Sequence, residues 1–83
     1  MRTRYQVIEY DGEAYVWNNL RQVKEDIINI LNKPDFDNIV QNCKNASCLY
    51  PIIIMRCVGK YDEDDPNWEH YADVDEYGNI IKS

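Results

Sequence analysis

The chain begins with a stretch in which apolar and β-branched residues alternate with polar ones. Residues 3–10 (TRYQVIEY) have the composition of a β-strand, and residues 13–17 have that of a second strand. Between them stands Asp11-Gly12, a pair that two-residue type I′ turns favour because both central residues need positive φ. The pattern therefore predicts an N-terminal β-hairpin.

The apolar residues that follow recur every three or four positions, which is the period of an α-helix. Asn19 can cap this helix, and Gln22 stands three residues later, as in a capping box. Lys33-Pro34 should end the helix, and Asp35 can cap a second, shorter one. The apolar positions of the two predicted helices are Leu20, Val23, Ile27, Ile30, Leu31, Phe36, Ile39, Val40 and Cys43.

Strand-like segments return after the helices. Residues 49–55 form the longest apolar run, which predicts the central strand of a small sheet, with Pro51 in its first turn because proline cannot donate to a ladder. Residues 68–74 predict another strand, and Gly78-Asn79 predicts a two-residue type II′ hairpin leading into a short final strand. The order ββααβββ predicts one compact α+β domain over residues 1–83, in which one long and one short helix pack on one face of an antiparallel-rich sheet of about five strands.

The charged residues are segregated along this framework. The 83-residue chain has a net charge of −6. Residues 61–81 contain eight acidic residues and no Lys or Arg, whereas residues 1–60 contain seven acidic and eight basic residues. The segment 61–81, called here the acidic segment, also carries Trp68 and several tyrosines. Such a segment can offer a basic partner both charge and contact area.

The candidate metal ligands are three cysteines and a single histidine. A zinc site could use Cys43, Cys48, Cys57 and His70, but no Cys-x-x-Cys pair is present, and Cys43 and Cys57 fall on apolar stripes where a thiol packs as a small hydrophobe. A calcium-binding EF-hand loop that begins at Asp73 would need a side-chain ligand where Tyr77 stands, and its twelfth position would fall beyond Ser83. The sequence contains no nucleophile–base motif and no glycine-rich phosphate loop. We expect no metal, no cofactor and no catalytic residue.

The composition also restricts partners and location. The negative net charge argues against direct nucleic-acid binding, because phosphate contacts need clustered Lys and Arg. No segment approaches the roughly 20 apolar residues that span a bilayer. The N-terminus lacks the apolar region of a signal peptide. The odd number of cysteines is typical of a protein whose thiols remain reduced. These features predict a cytoplasmic protein without a membrane contact.

We interpret the acidic segment as a surface that binds a basic partner protein. Carboxylates spread over a strand, a loop and a hairpin can imitate the charge of nucleic acid, as inhibitors of nucleic-acid-processing enzymes do in phage anti-defence, immunity and antitoxin systems. Aromatic side chains would supply the affinity. The predicted partner-binding residues are Asp62, Glu63, Asp64, Asp65, Trp68, Glu69, Tyr71, Asp73, Asp75 and Glu76.

Two other interpretations of this composition remain open. In the first, the chain is a structural or assembly subunit that forms a homodimer or a larger oligomer through a tyrosine-rich sheet edge. In the second, residues 62–76 form a solvated face that keeps a tyrosine-rich surface soluble and protects an edge strand.

Overall fold

The computed structural model describes residues 3–10, 12–59 and 66–82, which form a sheet of five strands and two helices. The predicted α+β class and the order ββααβββ are confirmed. Among these residues no helix is long and apolar enough to cross a membrane. The elements are β1 (Thr3–Glu9), β2 (Ala14–Trp17), α1 (Leu20–Leu31), α2 (Phe36–Asn45), β3 (Ile52–Val58), β4 (Glu69–Val74) and β5 (Ile80–Lys82).

The strands lie in the order β2-β1-β3-β4-β5, and each neighbouring pair is antiparallel. The apolar run of the sequence is thus central, since β3 pairs with β1 on one side and β4 on the other. Pro51 directly precedes the first residue of β3, where its missing N–H leaves the ladder intact. The edge strands of the sheet are β2 and β5.

Both helices pack on the same face of the sheet, which we call the helix side. Cross-strand partners point to one face, and the register pairs Val7 with Ile54 and Ile54 with Ala72. These three residues share one buried cluster with residues of α1 and α2. Ile53 points to the opposite side and is half-buried. The cluster consists of Val7, Val23, Ile27, Ile30, Phe36, Ile39, Ile52, Ile54, Ala72 and Val74.

The two helices begin differently. The Asn19 side chain accepts a hydrogen bond from the backbone N–H of Gln22 at 2.9 Å, so the predicted N-cap of α1 is confirmed. The Gln22 side chain in turn accepts from the backbone N–H of Asn18 at 2.9 Å, one residue earlier than in a standard capping box. The prediction that Asp35 caps α2 through its side chain is wrong, because its side chain makes no capping hydrogen bond there.

Both hairpins are one residue longer than the two-residue turns that the sequence predicts. In the first, the N–H of Glu9 donates to the carbonyl of Glu13 at 2.8 Å, and the N–H of Gly12 donates to the carbonyl of Glu9 at 3.0 Å. In the second hairpin, the N–H of Asp75 donates to the carbonyl of Asn79 at 3.1 Å. Gly12 and Gly78 have φ of 97° and 88°, so glycine takes the left-handed position that closes a three-residue loop.

A β-bulge interrupts the pairing of β3 with β4. Ile54 pairs with Ala72 but Met55 pairs with His70, which leaves Tyr71 as the extra residue. Tyr71 therefore turns to the helix side, next to Tyr5. The bulge also places side chains three residues apart on β4 on the same face of the sheet.

Candidate partner-binding surfaces

Six of the ten predicted partner-binding residues lie on β4, just before it, or in the turn that follows it. Trp68 immediately precedes β4 and is half-buried. The remaining four, Asp62, Glu63, Asp64 and Asp65, lie outside the described residues.

Glu69 and Tyr71 lie on the helix side, at the start of β4. Glu69 accepts a hydrogen bond from the Arg56 guanidinium at 3.0 Å, across the ladder between β3 and β4. The same guanidinium lies 5.2 Å from the centroid of the Tyr71 ring. Tyr71 also makes an edge-to-face contact with Tyr5, with ring centroids 5.5 Å apart, so its ring is part of the packing that joins β4 to β1.

Asp73 lies on the opposite side of the sheet. Its partner across the ladder is Ile53, and the partner of His70 is Met55, two residues further along β3. The bulge therefore brings His70 and Asp73 together, and the Nε2 atom of His70 is 3.0 Å from the Oδ1 atom of Asp73. A regular strand would point these two side chains to opposite faces.

Asp75 and Glu76 belong to the turn between β4 and β5. The Oδ1 atom of Asp75 accepts hydrogen bonds from the backbone N–H groups of Tyr77 and Asn79, each at 2.9 Å. These bonds, led by the one from Asn79, lower the pKa of Asp75 because they stabilise its ionised form. The Glu76 carboxylate lies 3.5 Å from the ammonium of Lys44 on α2.

The predicted acidic residues on β4 and its turn therefore do not converge on one patch. Glu69 lies on the helix side, Asp73 on the opposite side, and Asp75 with Glu76 at the end of the strand. Each of them also has a partner within the chain. Their charge is thus spread over three sides of the sheet, and part of it is already compensated.

Sequence patterns missed a cluster around a buried carboxylate. Glu9 is 1% exposed on the helix side of β1. The ammonium of Lys33, just after α1, lies 2.9 Å from one oxygen of Glu9 and 3.2 Å from the other, and it also reaches Glu13 at 3.2 Å. The Tyr15 hydroxyl donates to Glu13 at 3.0 Å. The strand alternation of Tyr5, Val7 and Glu9 was the available signal, because it places Glu9 on the buried face.

The groups of this cluster shift one another's protonation. Hydrogen bonding to Glu9 raises the pKa of Lys33 above the usual range, because the ammonium is the form that donates. The hydrogen bond from Tyr15, followed by that from Lys33, lowers the pKa of Glu13. The same bond raises the pKa of Tyr15, whose proton is held by the carboxylate. At neutral pH the cluster is an ion-paired network that links β1 and β2 to the end of α1.

Two of the cysteines meet at the end of α2. The backbone N–H of Cys48 donates to the carbonyl of Cys43 at 2.9 Å, and the backbone N–H of Ser47 donates to the carbonyl of Lys44 at 3.0 Å. Ser47 has a φ of 59°, in the left-handed region. This Schellman arrangement stacks Cys48 on Cys43. Burial, reinforced by Cys48, raises the pKa of Cys43 to about 11 and makes it a poor nucleophile at neutral pH.

The candidate zinc ligands do not come together. Cys57 lies on the same face as Ile53 and Met55, opposite the helix side to which Cys43 belongs. In the described ranges, no group of three or more His, Cys, Asp or Glu side chains could hold a metal ion.

An apolar groove of about 790 Å³ lies on the helix side, between α1 and the β4–β5 hairpin. One wall is a stripe of α1 that includes Leu20 and Ile28, and the floor includes Tyr71 and Ile80. Ile28 is 59% exposed, which is high for an isoleucine beside a core. Among the described residues that line the groove, Lys24 and Lys82 are the charged ones. Their charge is opposite to that of the acidic segment, which itself supplies Tyr71 and Ile80 to the floor.

Comparison with known proteins returns no relative, since no family model, no curated protein and no solved structure matches the chain.

Proposed function

We propose that this chain is a small, non-catalytic protein-binding module whose acidic segment binds a basic surface of another protein. The observation that carries this proposal is the segregation of charge, with eight acidic residues and no Lys or Arg between residues 61 and 81. A field of one sign attracts a partner of the other sign and speeds the encounter. Trp68 and Tyr71 are the proposed aromatic anchors.

The internal ion pairs of β4 and its turn leave room for such binding. In those pairs the side chains of Glu69 and Glu76 remain 60% and 35% exposed. An exposed pair contributes only about 0–1 kcal/mol, so a partner's Lys or Arg can replace Arg56 or Lys44 with little loss. Asp75 differs, because its carboxylate holds the turn. We expect its replacement to affect folding more than binding.

The partner class we propose is a nucleic-acid-processing enzyme that the chain inhibits in the cytoplasm by charge mimicry. Such enzymes carry a basic groove for phosphates, and a ligand with clustered carboxylates can occupy that groove in place of nucleic acid. Phage anti-defence proteins, immunity proteins and antitoxins are the functional types that use this device.

The test compares two variants with the same change in charge. One replaces Asp62, Asp64 and Asp65 with Asn, and the control replaces Glu25, Asp35 and Asp37 on or beside the helices with Gln or Asn. A partner is captured from host lysate with the wild-type chain, identified and purified, and association rates are measured by surface plasmon resonance. We expect the first variant to associate about tenfold more slowly and the control to resemble wild type. Nucleic acid should also compete with the chain for the partner.

Binding that is equally fast in the first variant, and independent of salt between about 0.1 M and about 1 M, would refute charge mimicry. An acidic captured partner, or one that nucleic acid does not displace, would do the same. In either case the solvated-face interpretation of the acidic segment would remain.

A second candidate function is self-association through the sheet edge at β2. Tyr15 and Val16 on this edge strand, and Tyr10 beside it, are 41%, 43% and 40% exposed. An edge strand with exposed apolar side chains is a template for pairing with another copy. Val16→Lys should convert an oligomer to a monomer in sedimentation experiments if β2 is the interface. A wild-type chain that is monomeric at high concentration would exclude this function.

A further inference from the structure

The floor of the groove described above belongs to the helix side of the sheet. Ile80 pairs with Val74 and Lys82 pairs with Ala72 across the β4–β5 ladder. Val74 and Ala72 are core residues, and cross-strand partners share a face, so Ile80 and Lys82 also point to the helix side. The groove is therefore a part of the helix side, over β4 and β5, that α1 leaves uncovered.

The wall of the groove is a second apolar stripe on α1. Leu20, Lys24, Ile28 and Leu31 follow one another at intervals of four, four and three residues, which places them along one line of the helix. This stripe lies beside the buried residues Val23, Ile27 and Ile30, which face the core, and Ile27 also lines the groove. From Leu20 to Leu31 it extends about 16 Å, or three helical turns.

A wall of this length suits an α-helix of about three turns lying beside α1 on the sheet. Helices that pack side by side on a sheet lie about 8–10 Å apart and bury an apolar stripe of three to four residues per two turns. A helix of about three turns would contact the α1 stripe with one part of its apolar face and Tyr71 and Ile80 with the other. The groove thus offers such a helix an apolar wall and an apolar floor on the helix side of the sheet.

The charge at the groove selects the chemistry of that helix. Neither Lys24 nor Lys82 forms an ion pair with any residue that the structure describes, although the ammonium of Lys82 lies 5.3 Å from the Tyr71 ring centroid. By contrast, Arg21, Lys33, Lys44 and Arg56 each pair with a carboxylate of the chain. In a chain of net charge −6, two cations that have no ion-pair partner among the described residues and lie beside an apolar groove favour an anionic occupant.

We propose that this groove binds an acidic amphipathic helix of a partner protein, with carboxylates placed against Lys24 and Lys82 and apolar residues in the groove. A second copy of this chain fits less well, because docking through its own α1 stripe would bring Lys24 against Lys24 or Lys82. The acidic segment attracts a basic surface and the groove an acidic one. Tyr71 belongs to both proposed sites, so the test separates them through the carboxylates and Lys24 and not through Tyr71.

The test uses a displayed library of helical peptides of about 14 residues. Each peptide carries leucine at positions i, i+3, i+4 and i+7, and Glu, Gln or Lys is allowed at the positions that flank this stripe. We expect binders of the wild-type protein to be enriched in Glu. The best binder is then synthesised, and its affinity for variants of the protein is measured by fluorescence anisotropy.

Matched variants on α1 separate the groove from general electrostatics. Lys24→Glu reverses a charge on the groove wall, and Arg21→Glu makes the same change on the same helix outside the groove. We expect Lys24→Glu to weaken binding about 2- to 30-fold, whereas Arg21→Glu stays within about twofold of wild type. Ile28→Ala, at an exposed position, should weaken binding while leaving the unfolding midpoint nearly unchanged. Amide shifts in NMR spectra should map to Ile28, Tyr71 and Ile80.

Several results would overturn the proposal. Enrichment of Lys or Gln among the binders, equal losses for Lys24→Glu and Arg21→Glu, or a library that yields no binder would each do so. Dodecanoate that shifts the groove amides and displaces the peptide would assign the groove to a fatty anion instead. Groove amides that shift when the protein alone is concentrated would assign it to a second copy.

Discussion

Replacing Lys33 with Met should strongly destabilise the fold, because it removes the ammonium that pairs with a buried carboxylate. The Lys33 ammonium lies within 2.9 and 3.2 Å of the two oxygens of Glu9, whose side chain is 0% exposed. Methionine keeps much of the apolar stem of lysine and removes the ammonium, together with its pairs to Glu9 and Glu13. The substitution therefore isolates the ion pair from the packing of the side chain.

The magnitude follows from the burial of the two partners. Removing one partner of a buried ion pair destabilises a protein by about 3–5 kcal/mol. The Lys33 side chain is 32% exposed, so water reaches one end of the pair and we expect a loss near the lower limit, about 3 kcal/mol. An 83-residue domain has a total stability of about 4–12 kcal/mol. A loss of this size would remove a large part of it.

Urea unfolding followed by circular dichroism measures this loss. Lys44→Met is the matched control, because Lys44 is 59% exposed and lies 3.5 Å from Glu76, and it should lose less than about 1 kcal/mol. The double variant Glu9→Leu/Lys33→Met should recover most of the loss, since an apolar pair can replace a buried ion pair without an uncompensated charge.

The pH dependence of the free energy of unfolding gives an independent check on this prediction. The raised pKa of Lys33 means that its contribution to stability is fully present below the usual pKa of lysine and is lost as pH rises through the folded value. The lowered pKa of Glu13 means that its contribution is present above the usual pKa of glutamate and is lost in acid. Lys33→Met removes the ammonium whose pKa is raised. The difference in stability between wild type and variant should therefore narrow as pH rises above the usual pKa of lysine.

A loss below about 1 kcal/mol for Lys33→Met, or a difference that stays constant with pH, would refute this reasoning. Either result would mean that the pair between Glu9 and Lys33 contributes little to the stability of the folded protein.

Three further substitutions or reactions test the packing. Ile27→Ala should lower the free energy of unfolding in urea by about 2–5 kcal/mol, because Ile27 is 3% exposed. A loss of only about 0.3 kcal/mol would show that α1 is not docked on the sheet. Gly78→Ala should lower the thermal midpoint more than Gly12→Ala: both glycines have positive φ, but only at Gly78 would the new Cβ lie 2.9 Å from Leu31 Cδ2. Equal midpoints would contradict that contact. Cys48, which is half-exposed, should react with a thiol reagent faster than the buried Cys43 and Cys57, and equal rates in the native protein would contradict the burial.

The order of the elements could be predicted because each has a strong local signal. The apolar stripe of α1 repeats at helical spacing, and Asn19 stands at its start with a side chain suited to capping. The run after Pro51 is apolar on successive positions, as a central strand between two neighbours requires. These signals depend on residues close in sequence, and the fold preserves them.

The predicted lengths of the two hairpin loops were wrong because the turn residues alone do not determine the strand register. Asp11-Gly12 and Gly78-Asn79 indicate only that one residue takes positive φ, and both glycines do so. The strand register decides which residues close the turn, and it is set by burial across the sheet. With Val7 opposite Tyr15 and Val74 opposite Ile80, both loops take three residues.

The partners of the charged residues could not be predicted, because they are distant in sequence. Glu9 meets Lys33 across 24 positions, and Lys44 meets Glu76 across 32. The pairing of His70 with Asp73 depends on a bulge for which the sequence carries no turn residue. A count of acidic residues therefore predicts the sign of the acidic segment but not which of its carboxylates the fold has already used.

The two proposed surfaces have opposite charge, and this makes them separable within one molecule. Added salt screens both and would weaken both interactions, so salt dependence alone cannot tell them apart. Charge substitutions can. Lys24→Glu makes the chain more acidic, so it should weaken an acidic helix at the groove and slightly speed association with a basic partner. Neutralising Asp62, Asp64 and Asp65 should slow association with a basic partner and slightly strengthen the binding of an acidic helix at the groove. A single partner whose binding weakens with both variants would have to contact the lysines and the acidic segment together, and it would need a surface of mixed charge.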